Sequence, residues 1–334
     1  MRINRQTLLK IVDDTVGQRT RRDRGILSIY LCGSLLEEEF LLGGTTDIDL
    51  VFIHADQMPV EREIVRLSDD VHLDIAHYDQ REFRQTRKLR MHSWLGPAIF
   101  GCKVLYDPQH FMDFTQASVR GQFQRADYIV ERARSQLEHA RQIWSSYHEG
   151  LPKEPGVGEL YQYLKAVEHA GNATASLYGA PLTERRFLLR FRQRVESAGR
   201  SGLYAGILGL LGAPNVEVES LQIWLVAWRT CLQALPAETL PPRLDPSRIL
   251  YYQHAFEAFL DSDQPLAVLW PLLHTWTLAA KQFPETAEEV VSWKKACGYL
   301  GLLGQGFGER VEALDSYLDS VEDLLDEWAR ANGV

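Results

Sequence analysis

The chain reads as an α+β protein: an N-terminal mixed sheet with flanking helices over residues 1–110, then an all-helical domain over 111–334. Three observations predict this. Short apolar, β-branched runs bounded by glycine or acidic turns crowd the first third, at 27–32, 47–53, 71–76 and 101–107. Beyond 111, long amphipathic segments take over and no alternating run of strand length stands out. The 334 residues are enough for two domains of ordinary size.

Taken in order, residues 2–20 carry Ile3, Leu8, Leu9, Ile11, Val12 and Val16 at helical spacing. The spacing predicts a helix packed on the sheet, and its basic end, Arg19, Arg21, Arg22 and Arg24, complements the helix dipole. A strand from 27 then turns at Gly33-Ser34 into a short helix whose Glu37, Glu38 and Glu39 should lie in solvent. A Gly43-Gly44 turn leads to a second strand that opens Asp47-Ile48-Asp49, with Ile48, Leu50 and Phe52 directed to the core. Residues 59–70 are expected to form a helix, 71–76 a strand, 80–100 a further helical stretch and 101–107 a closing strand. The helical domain is then read as segments at 118–148, 159–178, from Thr183, 216–235, 246–261, 265–283, 285–303 and 307–331, with its tryptophans mostly in the core. Arg185, Arg186, Arg190, Arg192 and Arg194 are read as a solvated face.

Composition narrows the function. With 45% hydrophobic and 24% charged residues the chain is of the soluble globular class. A formal net charge of −9 argues against a nucleic-acid binder, which would carry an excess of Lys and Arg. Cys32, Cys102, Cys231 and Cys297 are scattered without CxxC spacing, so neither a zinc site nor a disulfide framework is indicated. No apolar run reaches signal-peptide or membrane-span length, which makes the cytoplasm the expected location and leaves no role for a membrane. The oligomeric state is left open.

The chemistry concentrates at 27–53. On a strand Asp47 and Asp49 project to one side, and like charges held that close repel unless a cation lies between them. Oxygen ligands suit Mg²⁺. Asp74, in the later strand, supplies a third carboxylate, and three on adjacent strands could hold two divalent ions. At Gly33-Ser34 the glycine lets the backbone approach a phosphate, to which the serine N–H and hydroxyl can donate.

At Gly33, Ser34, Asp47, Asp49 and Asp74 the sequence resembles the nucleotidyltransferase superfamily typified by DNA polymerase β, with its Gly-Ser, Asp-x-Asp and later third Asp. A helical half after the catalytic domain further resembles the antibiotic nucleotidyltransferases of the kanamycin type. The resemblance is motif-level over 27–107 and architectural beyond. It implies a Mg²⁺-dependent transfer of a nucleoside monophosphate, adenylyl in the first instance, from ATP or another nucleoside triphosphate to a hydroxyl, releasing pyrophosphate. The acceptor would be a small molecule such as an aminoglycoside-like compound, or a protein, and the metal would be held by Asp47, Asp49 and Asp74. It also places a polar stripe of the 159–178 helix, Tyr161, Lys165, Glu168, His169 and Asn172, where related enzymes line the cleft. Lys165 would then bind the triphosphate, and Glu168 would orient the acceptor or take its proton. Two readings compete: a nucleotidyltransferase-like antitoxin or regulatory protein acting through a partner, and a template-independent polymerase acting on RNA ends, which the absence of a broad basic surface disfavours. Retention of all three carboxylates with Gly-Ser favours chemistry.

Overall fold

In a computed structural model, residues 3–334 are described except 57, 59, 151–153, 237–239 and the side chain of Asn215. The chain divides into two units, Met1–Tyr128 and Ile129–Val334. The first therefore extends beyond residue 110 and takes in one more helix. An α+β first unit followed by a helical region is the observed architecture.

In the first unit, α1 (Arg5–Arg22) begins at Asn4, whose side chain accepts from the Thr7 N–H at 2.9 Å. Five strands follow: β1 (Ile26–Cys32), β2 (Thr46–His54), β3 (Arg62–Arg66), β4 (Val71–Asp79) and β5 (Lys103–Tyr106). Their order across the sheet is β3-β4-β2-β1-β5, with β2 and β4 parallel and the other neighbours antiparallel. Strand alternation sorts the side chains as expected. Ile48, Leu50 and Phe52 join Ile29, Leu31, Leu73 and Ile75 against Leu8, Val12 and Val16 of α1. The other face packs Tyr30, Val51 and Ile53 against α2 (Thr86–Met91), α3 (Leu95–Gly101) and α4 (Phe111–Arg120).

Three expected helices are corrected here. Residues 59–70 contain β3, an antiparallel edge strand on β4, instead of a helix; Pro59 lies outside the described residues. Spacing such as Val60, Ile64, Val65, Leu67 fits either element over so short a span, and pairing with β4 decides it. The stretch 80–100 is broken into a 3₁₀ turn at Gln80–Phe83, then α2 and α3, because His92 Nδ1 accepts from the N–H groups of Trp94 and Leu95 at 3.1 Å and starts a new helix. The long helix at 118–148 is also divided. α4 ends at Arg120 and α5 (Ala126–Glu149) starts afresh, while between them Phe123 turns inward and stacks on Phe100 at 4.5 Å.

The second unit contains α6 (Val157–Ser176), α7 (Phe187–Ser197), α8 (Ser201–Leu210), α9 (Val218–Gln233), α10 (Ile249–Leu260), α11 (Leu269–Ala280), α12 (Glu288–Tyr299) and α13 (Gly306–Ala331). All residues of α11 are buried, so this apolar helix is the core about which α6, α9 and α12 pack. Its two threonines satisfy buried indoles: Trp228 donates to Thr275 at 2.9 Å and Trp293 to Thr277 at 3.0 Å. Two of the five arginines after Thr183 leave the solvated face expected of them, while Arg190, Arg192 and Arg194 stay partly exposed. Arg185 and Arg186 are buried, and Arg185 donates to the Tyr251 carbonyl at 2.9 Å with its guanidinium over the Tyr251 ring. Among the described residues no helix is long and apolar enough to cross a membrane.

Candidate metal centre

The register of β2 and β4 builds the site. Parallel pairing sets Asp49 beside Asp74 and Asp47 beside His72, so the three aspartates rise from one face of two adjacent strands. One carboxylate oxygen from each of Asp47, Asp49 and Asp74 lies within 4.8 Å of the other two. A Mg²⁺ ion with ligands at about 2.1 Å sets its oxygen donors roughly 3 to 4.2 Å apart, so small rotations of these carboxylates suffice to close on one ion. The group could hold a metal ion, and it is the one set of three or more acidic, His or Cys ligands among the described residues that could.

Gly33 has a task in the carboxylate group itself. It sits at φ +76°, and a Cβ there would stand 1.8 Å from Asp49 Oδ2. The glycine thus makes room for the carboxylate as well as adopting a backbone angle that L side chains rarely take. Ser34 follows in a 3₁₀ turn, Ser34–Leu36, with its Oγ 3.5 Å from Thr46 Oγ1, next to Asp47. Arg5 of α1 donates to the carbonyls of Glu37 and Glu38 and lies over Phe40, which fixes the loop that follows. Glu38 and Glu39 face solvent as expected, whereas Glu37 is half-buried. The Gly43-Gly44 turn is a tight one: both glycines have positive φ, and Leu42 and Thr45 exchange backbone hydrogen bonds.

Sequence reasoning missed Arg62. From β3 it grips Asp74 with two parallel bonds, Nε to Oδ1 at 2.6 Å and Nη2 to Oδ2 at 2.8 Å. Asp74 is diagonal to Arg62 in the β3–β4 ladder, within reach of a long side chain on the same face. Only the strand reading of 62–66 would have revealed this. Cys32 faces the site from β1, paired in register with Asp49, and burial together with Asp49 pushes its thiol up. On the opposite face a separate chain of bonds runs from His54 Nε2 to His77 Nδ1 at 2.8 Å and from His77 Nε2 to Glu63 at 3.1 Å, with Arg19 closing it at 2.9 Å. His77 therefore does point away from Asp74, into structural contacts.

Neither a protein-family model nor a curated protein matches this chain. Function must be argued from the site.

Lys165 and Glu168 belong to α6 of the second unit. The polar stripe there is divided by its neighbours. Asn172 is fully buried and accepts from the Leu182 N–H at 2.6 Å, so its role is to hold the next segment. His169 bonds Gln136 at 2.6 Å, and burial, with His139 and Lys165, pushes it down to about 4. Tyr161, Lys165 and Glu168 stay partly accessible. The Lys165 and Lys281 ammoniums lie 5.9 and 4.2 Å from the Tyr161 ring centroid. Burial holds the Glu168 carboxyl above the usual range against the opposing pull of His274 and Arg243.

Proposed function

We propose that the protein is a divalent-metal-dependent nucleotidyltransferase, moving a nucleoside monophosphate from a nucleoside triphosphate, ATP in the first instance, to a hydroxyl acceptor. The observation that carries the proposal is the conjunction of Asp47, Asp49 and Asp74 within 4.8 Å with a positive-φ Gly33 whose missing side chain admits Asp49. A carboxylate trio of this kind matches a hard cation, and a cation held there supplies Lewis-acid stabilisation to attacking and leaving oxygens.

Each protein group then has a task. Asp47 and Asp49 would hold the metal, as one Mg²⁺ ion or a pair. Ser34 and its N–H donate to the phosphates. The acceptor oxygen bonds to the α-phosphorus as the α–β bridging bond breaks, pyrophosphate leaves with the electron pair, and the acceptor proton passes to a carboxylate. We assign that acceptor-side role to Asp74 and to Glu168, whose carboxyl burial makes more basic than an exposed glutamate, and we assign Lys165 to the triphosphate. The acceptor is a small molecule or a protein side chain.

The test is incubation with α-labelled nucleoside triphosphates, Mg²⁺ and separate pools of small molecules, protein and RNA. Label appearing on a small molecule or a protein, with pyrophosphate released in equal amount, is the expected result. Transfer to RNA alone would replace the proposal by a terminal polymerase, and absence of transfer from all four nucleotides would remove it.

A further inference from the structure

The third carboxylate already has a cation. Asp74 is held by both nitrogens of the Arg62 fork, and the two ends of this pair differ sharply in freedom: the Asp74 side chain is 2% exposed, that of Arg62 46%. Asp74 is anchored in a strand paired on both sides, whereas Arg62 stands on the edge strand of the sheet. Any ion coordinated by Asp47, Asp49 and Asp74 sits within a few ångströms of the guanidinium, and two cations on one carboxylate repel. A planar guanidinium recognises a phosphate with the same two-pronged geometry that it uses for a carboxylate.

We propose that Arg62 is an exchangeable counter-cation. It neutralises Asp74 while no metal is present and disfavours metal alone. When a metal–nucleotide arrives, it swings outward to a phosphate oxygen and releases Asp74. The edge of the sheet thereby makes the site select the metal–nucleotide complex over the free ion. This inference rests on the nucleotidyltransferase reading above, but only in its second half: competition between Arg62 and metal needs no nucleotide.

The two halves predict opposite signs for one substitution. Free Mn²⁺, followed by electron paramagnetic resonance, should bind Arg62→Gln roughly 5- to 150-fold more tightly than wild type, the usual range of a coupling between two ligands of one group. The complex of Mn²⁺ with an ATP analogue bridged by an α,β-methylene group should bind the same variant roughly 5-fold or more weakly. Arg62→Lys keeps the charge and loses the fork, so it should remain near wild type for free Mn²⁺ and still weaken the complex. Thermal unfolding gives an independent readout that does not depend on turnover. Arg62→Gln leaves Asp74 buried and charged, so its unfolding temperature should fall without metal and recover with Mn²⁺, while that of wild type should move little.

Free Mn²⁺ binding that is unchanged or weaker in Arg62→Gln would show the arginine to be a fixed support for Asp74 and would overturn the exchange. Wild-type protein that binds Mn²⁺ but not the nucleotide complex would remove the nucleotidyltransferase reading and the phosphate half of the exchange, and leave the competition standing. Absence of Mn²⁺ binding in both proteins would overturn the metal site together with the exchange. If Arg62→Gln does not fold even with Mn²⁺, Arg62→Lys carries the test through its expected split between free ion and complex, and equal affinity to wild type for both would overturn it.

Discussion

Two carboxylates, Asp74 buried in the first unit and Glu184 largely buried in the second, are held by arginine in different ways. Glu184 is enclosed: His274 donates to Oε1 at 2.7 Å, Tyr252 to Oε2 at 2.7 Å, and Arg243 lies 3.4 Å from Oε2. Its histidine stacks on both Tyr161 and Trp270. Burial pushes the Glu184 carboxyl up, yet Arg243, His274 and Tyr252 together hold it well below the usual range. Asp74 is clamped by Arg62, a half-exposed side chain, and has two further carboxylates beside it. Nearness of an arginine therefore does not by itself mark an acid as structural: acids of the same sign are gathered around Asp74, whereas positive and hydrogen-bonding groups are gathered around Glu184.

The strongest way to break the comparison is at the aspartates. Asp47→Asn and Asp49→Asn should each lower transfer by about 10³-fold, several kcal/mol of transition-state stabilisation, while thermal unfolding stays at or slightly above wild type because mutual repulsion is relieved. Near wild-type turnover in both would sink the metal reading. Asp74→Asn should reduce turnover more than it reduces binding of the metal–nucleotide, a split that calorimetry beside kinetics can read.

Glu184 should behave in the reverse manner. Glu184→Gln is expected to cost about 2–3 kcal/mol of stability by leaving charged and hydrogen-bonding partners unmatched in a buried place. The pH dependence has a definite sign. Because the folded-state carboxyl is depressed, its stabilisation is fully present above the unfolded glutamate value of about 4.3 and is lost as pH falls below it. Denaturant melts between pH 7 and pH 3 should show the wild type losing part of this increment, with the remainder lost at still lower pH, and Glu184→Gln not losing it.

A smaller effect is expected at Gly33→Ala. The left-handed backbone angle costs about 1–3 kcal/mol for a residue with a Cβ, and that Cβ must also displace the Asp49 carboxylate. Metal affinity should fall along with stability, and loss of stability alone would make Gly33 purely a turn residue.

The mildest changes are expected on α6. Lys165→Ala should raise KM for nucleotide roughly tenfold, about 1.4 kcal/mol. Glu168→Gln should lower kcat by a similar factor with little change in nucleotide affinity. The acid limb of the wild-type kcat profile should lie above pH 4.3, the usual glutamate value, and disappear in the variant. Wild-type kinetics in both variants would return the remaining stripe to solvent.

The sheet was legible in the sequence because Ile48, Leu50 and Phe52 alternate with Asp47, Asp49 and Val51, and period-two alternation carries its own assignment. The aspartate trio was legible for the same reason. The segment 59–70 was not, since a five-residue edge strand rich in charge has no periodicity that its partner does not supply. Arg62 was hidden with it. Asn172 and His169 show the other failure: a helical wheel sorts polar from apolar, but cannot tell that Leu182 and Gln136 would come to meet two of the polar members.

The parallel pairing of β2 with β4 also sets what this gene can tolerate. Asp74 faces Asp49 by virtue of nine successive register pairs, from Thr46 and Val71 to His54 and Asp79. A single codon gained or lost between Val71 and Asp74 would turn that aspartate to the α1 side and put an apolar neighbour in its place. The loop from Glu37 to Leu41 has no strand register to keep; it is fixed at points, by Arg5 on Glu37, Glu38 and Phe40 and by Thr46 Oγ1 on the Phe40 carbonyl. Length should therefore vary among descendants of this chain between the Gly-Ser turn and the Asp-x-Asp strand, and remain constant within β2 and β4.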